Sequence, residues 1–297
     1  MLTGFNQTKS TLANLYHNKK LHHAILLHGK KGIGKASFAK EFVGEILKNN
    51  SDILLIEKEE GKKDIVVEKI RKIAGFVNQT SSGNSDKFII IDSACELNKS
   101  ASNALLKILE EPHANNFLIL IAHNLNQVLP TIRSRCQALK INDPSFADFE
   151  TIIKKTSAKF TAEEILFLAE IFDNSPAQAL ALGEDISRFY QLFLRSILNN
   201  KLNDELIKKI ADKNFPFLIF EKIFDFLISR LSKAQLGLTP KFFFEEAAIF
   251  TKILQQFSLA EIFAINDESL NVLRKTANLY LDRKLCLINI FNKITQK

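Results

Sequence analysis

Cysteine is scarce. The chain has three, Cys95, Cys136 and Cys286, with no C-x-x-C pair among its 297 residues. That spacing excludes a disulfide framework and a thiolate zinc site, and it fits a reducing compartment. Long apolar stretches are lacking too. The longest clean run, Phe117 to Ala122, is far too short to span a bilayer, which takes about 20 apolar residues. The opening Met1-Leu2-Thr3-Gly4-Phe5-Asn6 shows no apolar region after a basic start, so no secretory signal is expected. A cytoplasmic protein is the expectation.

What remains is an ordinary globular composition, 46% hydrophobic and 25% charged, long enough for two or three domains. The net charge of +7 is uneven: residues 1–143 hold 20 Lys+Arg against 14 Asp+Glu, and residues 144–297 hold 20 against 19. A basic excess in one half allows an anionic partner there, phosphate or DNA, and equally a solvated lysine surface. The 25 phenylalanines carry no functional weight by number alone.

Gly29-Lys30-Lys31-Gly32-Ile33-Gly34-Lys35-Ala36-Ser37 fits the phosphate-loop pattern G-x-x-x-x-G-K-[ST] except at its last position, where Ala36 replaces the hydroxyl residue. Ala24-Ile25-Leu26-Leu27-His28 before it reads as a buried strand; Phe38, Phe42, Val43 and Ile46 after it recur at helical spacing. A strand, a glycine-rich turn and a helix together aim backbone N–H groups at one spot, which suits phosphate. Gly29, Gly32, Gly34 and Lys35 are therefore the candidate cradle. Ser37 offers an oxygen, but one helical step, about 100°, turns it away from a metal.

Further runs at 52–56, 87–92 and 117–121 read as strands, with 137–141 as a fifth, alternating with helical patterns. Leu12, Leu15 and Tyr16 suit an opening helix. Ile65, Val66, Ile70 and Ile73 suit another, and a third starts near Asn98 or Ser100 and stops at Pro112. Ser81-Ser82-Gly83-Asn84-Ser85 marks a turn. This rhythm predicts an α/β domain with a parallel sheet over residues 1–143. Beyond Asn142-Asp143-Pro144-Ser145 strand-like runs vanish. Residues 144–183 read as short helices with a break at Asn174-Ser175-Pro176, and 184–297 as an all-helical domain. There Phe217, Phe220 and Phe224 share a core face, and Thr239-Pro240 starts a helix through Phe250.

A phosphate-loop ATPase needs a second part, an acid at a neighbouring strand end. Asp92 stands there. The glutamate that should follow it to orient the attacking water is Ser93, and Glu96 lies beyond the strand in a turn. Two losses, at 36 and 93, make self-contained hydrolysis improbable, because positioning and charge stabilisation carry phosphoryl transfer.

These residues resemble the bacterial DNA polymerase III clamp loader, and within it the delta-prime subunits. The carriers are Leu21-His22-His23-Ala24, the Gly29–Ser37 loop, Ile91-Asp92-Ser93-Ala94, the Ser102-Asn103-Ala104-Leu105-Leu106-Lys107-Ile108-Leu109-Glu110-Glu111-Pro112 helix, and Thr131-Ile132-Arg133-Ser134-Arg135-Cys136. The likeness implies an AAA+ P-loop domain, a small helical lid and a C-terminal helical collar. It also implies that Arg135, in the Ser134-Arg135-Cys136 motif, is an arginine finger reaching a neighbour's ATP. His123-Asn124 fall where the sensor residue lies, and Asn124 is the candidate. Asn174 to Leu180 resembles the lid segment that supplies a second arginine in hydrolysing members; Ala177 and Gln178 occupy those places here. Many members carry a four-cysteine zinc module between the loop helix and the second strand. Asn49-Asn50-Ser51-Asp52 joins them directly, so no zinc is expected.

The expected function is a clamp-loader subunit that loads the sliding clamp on primed DNA with gamma/tau and delta subunits. No cofactor is required; ATP or ADP would be held weakly, without efficient hydrolysis. The rivals are an ATP-hydrolysing gamma/tau-type motor and a DNA-binding module using the basic half, the latter requiring steeply salt-dependent binding.

Overall fold

The computed structural model describes residues 5–47, 52–59, 61–78, 86–238 and 241–295. The turn at 81–85, most of the 49–52 join and the Thr239-Pro240 pair lie outside these. The described chain divides into two compact units. One runs to Thr156 and includes Asn174–Ala177; the other comprises Ser157–Asp173 and the chain from Gln178 onward.

The first unit is built on five parallel strands: β1 (Ala24–His28), β2 (Ile53–Ile56), β3 (Lys87–Ile91), β4 (Asn116–Ala122) and β5 (Gln137–Lys140), in the order β2-β3-β4-β1-β5. The apolar runs do not alternate with polar residues because both sheet faces are covered. On one face Leu26, Ile89, Ile91, Leu118 and Leu120 pack with Ile70, Ile73, Leu105 and Leu109 from α3 (Val67–Asn78) and α4 (Lys99–Glu110). On the other, Ile25, Leu27, Phe88, Ile90, Ile119 and Ile121 pack with Leu12, Phe38, Phe42 and Val43 from α1 (Asn6–His17) and α2 (Lys35–Ile46). Successive strand residues face opposite ways, so adjacent positions enter different cores. α5 (Pro130–Arg133) and α6 (Phe146–Thr156) complete the unit. Asn98 caps α4 by accepting from Ala101 N at 2.8 Å, within the predicted start.

The order matters for function. The connection from β1 runs out to β2 at the edge, and that from β4 passes over β1 to β5. The carboxyl ends of β1, β3 and β4 therefore meet where the winding direction changes, the usual place for a ligand crevice in open α/β sheets.

One helix starts later than its pattern. Ile65 belongs to a parallel bridge with Leu97, its N–H donating to Glu96 O and its carbonyl accepting from Asn98 N. Its backbone is thereby committed, and α3 begins at Val67.

In the second unit every described element is helical: α7 (Ala162–Ile171), α8 (Pro176–Leu198, whose first residues belong to the first unit), α9 (Asp204–Ala211), α10 (Leu218–Gln235), α11 (Glu246–Gln256), α12 (Leu259–Leu279) and α13 (Arg283–Thr295). The predicted break is present, with Asp173 and Asn174 both at positive φ. After it, α8 is one long helix rather than a short one. Phe217, Phe220 and Phe224 are buried, as a core stripe requires. The helix expected from Thr239-Pro240 to Phe250 instead begins at Glu246. Before it, the Lys241 carbonyl and the Phe243 N–H are bonded to Arg230 and Glu246, which holds that segment out of helical geometry.

Candidate functional site

β1 ends at His28 and the chain turns at once. A Cβ on Gly29 would lie 2.5 Å from the Ile141 carbonyl oxygen, so only glycine fits. Gly34 has φ 99°, in the left-handed region that glycine adopts without penalty, and forms the N-cap of α2. Ile33 is buried and plugs the loop into the core. The first N–H groups of α2 thus open toward the crevice, where the helix end favours an anion. Lys35 is 3% exposed; its Nζ donates to Gly29 O at 2.8 Å and to Lys30 O. Burial lowers its pKa to about 8, against the opposing pull of Asp92.

Magnesium is poorly served. Ala36 packs its methyl against the core beneath α1 and α2, and Ser37 is exposed on α2. Among the described residues no group of three or more His, Cys, Asp or Glu side chains is arranged to hold a metal. Asp92 follows β3, half-buried, with its N–H on Ile56 O at 2.9 Å. The residues present fit a phosphate and do not fit a phosphate-bound magnesium ion with its hydroxyl ligand.

Beside Asp92, Ser93 takes a left-handed conformation (φ 68°, ψ 52°) that sets its Oγ 3.0 Å from His123 Nε2. His123 is half-buried, and its Nδ1 is buried without a hydrogen-bond partner. Burial, and secondarily Lys35, lowers its pKa. Asn124 is exposed, and its side chain accepts from Asn126 N at 3.0 Å to cap a short turn. Of the two adjacent residues it is His123 that joins the Lys35–Asp92–Ser93 group. Glu96 is occupied in an ion pair with Lys58 at 2.7 Å. The Asn174–Ala177 segment touches the loop: Ser175 Oγ donates to Lys31 O at 3.2 Å, and Ala177 N to Gly32 O at 3.1 Å. A methyl at 177 brings no charge to that contact.

Arg135 lies elsewhere. β5 runs parallel to β1, with Gln137 beside Ile25. Arg135 precedes Gln137 and so sits near the amino end of β1, while the loop follows its carboxyl end. Four residues of strand at about 3.3 Å each put about 13 Å between these levels. Arg135 is held by α5: its N–H donates to Ile132 O at 3.1 Å, its Nη1 to Thr131 O at 3.0 Å, and its Nη2 pairs with Glu110 Oε1 at 2.7 Å. Ser134 Oγ donates to Thr131 O at 3.0 Å. Cys136 is half-buried against the α3–α4 core, and burial pushes its thiol up to about 11. It anchors the motif to that core. The Glu110 contact gave no sequence signal beyond its place in the Leu-Glu-Glu-Pro run.

The fold and the Lys35–Asp92 crevice define a P-loop-type α/β unit on a parallel five-stranded sheet. The sequence family described as "DNA polymerase III, delta subunit" matches residues 46–145. The chain is 36% identical over 135 residues to DNA polymerase III subunit delta' of Pseudomonas aeruginosa, covering 38% of this chain and 41% of that one. It is 29% identical over 168 residues to subunit delta' of Haemophilus influenzae, covering 50% and 51%. To DNA polymerase III subunit gamma of Buchnera aphidicola it is 28% identical over 252 residues, covering 77% and 67%. The matched stretch thus spans about half or less of the two delta' relatives. Over these stretches the chain is similar to DNA polymerase III subunits of the delta' and gamma kinds.

Proposed function

We propose that this chain is a delta-prime-like subunit of the DNA polymerase III clamp loader that hydrolyses little or no ATP itself. Its Arg135 completes the ATP site of a neighbouring gamma/tau-type subunit, and the assembly, with a delta-type subunit, loads the sliding clamp on primed DNA in the cytoplasm. The observation that carries the reading is the separation of Arg135 from Lys35 at opposite ends of the sheet: the arginine is out of reach of its own loop. Arginine suits the task because its planar fork is always charged and pairs with phosphate oxygens. Residues 144–183 serve as lid and 184–297 as collar. No helix among the described residues is by itself long and apolar enough to cross a membrane.

The chain's own loop keeps a weak affinity for ATP or ADP through Lys35 and the α2 terminus, needs no cofactor, and lacks at Ala36 the hydroxyl that a loop-bound magnesium takes. The alternative, an ATP-hydrolysing gamma/tau-type motor, draws support from the gamma relative that covers 77% of the chain. Titration calorimetry separates the two. ATP should bind the purified chain with the same affinity, within about twofold, with magnesium or with chelator, and Lys35→Met should weaken it about tenfold or more, one charge-assisted hydrogen bond. Lys35 is protonated below a pKa of about 8, so affinity should fall as pH rises from 7 to 9. Binding that tightens tenfold with magnesium would favour the motor.

A further inference from the structure

The Arg135 side chain has a partner carried by another element of the same unit. Glu110, the last residue of α4, pairs with its Nη2 at 2.7 Å, the two side chains being 49% and 37% exposed. An ion pair this open adds little to stability, so its geometry is the feature to explain. Both supports of the pair are rigid. α4 is capped by Asn98 at its start, and Leu105 and Leu109 lie in the core. Its last turn is tied to the strand side by His23, whose Nε2–H donates to Leu109 O at 3.3 Å. On the arginine side, Ile132 is 1% exposed and Cys136 packs into the same core. Between these fixed points lies one long side chain whose direction the backbone does not settle.

The contacts settle it. Nη1 donates to Thr131 O at 3.0 Å and lies 3.4 Å from Ser134 Oγ, while Nη2 spends one hydrogen on Glu110. Of the five guanidinium donors, Nε–H and the second Nη2–H take no partner among the described residues. Two donors are enough for an incoming phosphate, and the carboxylate stays in place behind them. We propose that Glu110 is the positioning residue of Arg135, fixing the plane in which the guanidinium is offered to a neighbouring subunit's phosphates. This rests on the trans reading of Arg135. Glu110 touches neither nucleotide nor reacting atoms; it acts through the arginine.

The test pairs two readouts. In the reconstituted loader Glu110→Ala should lower kcat for ATP by up to about a hundredfold, the scale of a catalytic group misplaced by about 1 Å, with KM for ATP unchanged. Glu110→Gln, which keeps the acceptor, should recover part of the loss. In an Arg135→Ala background Glu110→Ala should cause no further loss. In the isolated chain, the Arg135 guanidinium N–H resonance, assigned by its absence in Arg135→Ala, should be sharp in the wild type and exchange-broadened in Glu110→Ala. Undiminished kcat in Glu110→Ala, equal loss in both backgrounds, or an unchanged resonance would overturn the proposal. An Arg135→Ala loader with full turnover would instead remove the trans reading, while the resonance would still report whether Glu110 orients Arg135.

Discussion

In a reconstituted loader, Arg135→Ala is expected to lower ATP turnover about a thousandfold, the lower end of what an arginine finger contributes, and to abolish clamp loading with it. The size follows from the chemistry: charge spreads over the transferred phosphoryl oxygens in the transition state, and a fixed guanidinium stabilises it more than the ground state. The fold should tolerate the change. Arg135 is one-third exposed and its side-chain contacts are one surface ion pair, one bond to a helix carbonyl and one long bond to Ser134 Oγ, worth about 1 kcal/mol together. Assembly by size exclusion and the melting temperature should therefore match the wild type. Arg135→Lys should recover little, because an ammonium cannot present the fork. The readout is steady-state ATP turnover with clamp and primed DNA.

The second large effect concerns stability, in the helical unit. Arg230 is 1% exposed and Glu246 is fully buried. Arg230 donates from Nε and Nη2 to the two oxygens of Glu246 at 2.9 and 2.7 Å, and from Nη1 to Glu170 at 2.6 Å. Its guanidinium carbon lies 4.4 Å from the Phe243 ring centroid. Tyr190 Oη and Phe243 N–H both donate to the same carboxylate, and burial holds the Tyr190 phenol well above its ordinary pKa. Glu246→Ala would leave a buried cation, a phenol and an amide without their acceptor. The expected loss is about 3–5 kcal/mol, the usual cost of breaking a buried pair, measured by urea denaturation followed by circular dichroism. Replacing both partners, Arg230→Met with Glu246→Leu, should cost less than either single change, since no fully buried charge is stranded: Glu170 also loses its partner but is 37% exposed. It should not restore full stability, because the Lys241 carbonyl and the Phe243 N–H lose their partners. A single-variant loss below about 1 kcal/mol would show that water reaches the cluster.

Most of the sheet domain was legible because the central strands β1, β3 and β4 are apolar runs and the helices between them follow a 3.6-residue pattern, some bounded by a cap or a proline. Asn98 before α4 and Pro112 after it are examples. The phosphate loop was legible for a similar reason: its glycines are demanded locally, by left-handed backbone at Gly34 and the Ile141 carbonyl at Gly29. What pattern could not deliver depends on contacts between distant segments. Ile65 looks helical until its backbone is claimed by residues 96–98. Nothing local tells the chain near Lys241–Phe243 to stay out of a helix; Arg230 on α10 and Glu246 do so. Whether His123 or Asn124 joins Ser93 is decided by where β4 ends, a one-residue matter that periodicity does not resolve. The Glu110–Arg135 pair, 25 positions apart, needs α4 and α5 in place to exist. The opposition of Arg135 and Lys35 could be inferred only once β5 was known to lie parallel beside β1.

On the proposed function, that opposition separates two sites: a loop that keeps the shape of a phosphate cradle, and an arginine at the other end of the sheet. The central claim is that hydrolysis has left the first. The direct measurement is ATP turnover by the purified chain alone, with magnesium. No turnover above the spontaneous rate is predicted, and none should appear on adding primed DNA. Magnesium-dependent turnover that disappears in Lys35→Met would contradict the account and make this chain a motor in its own right.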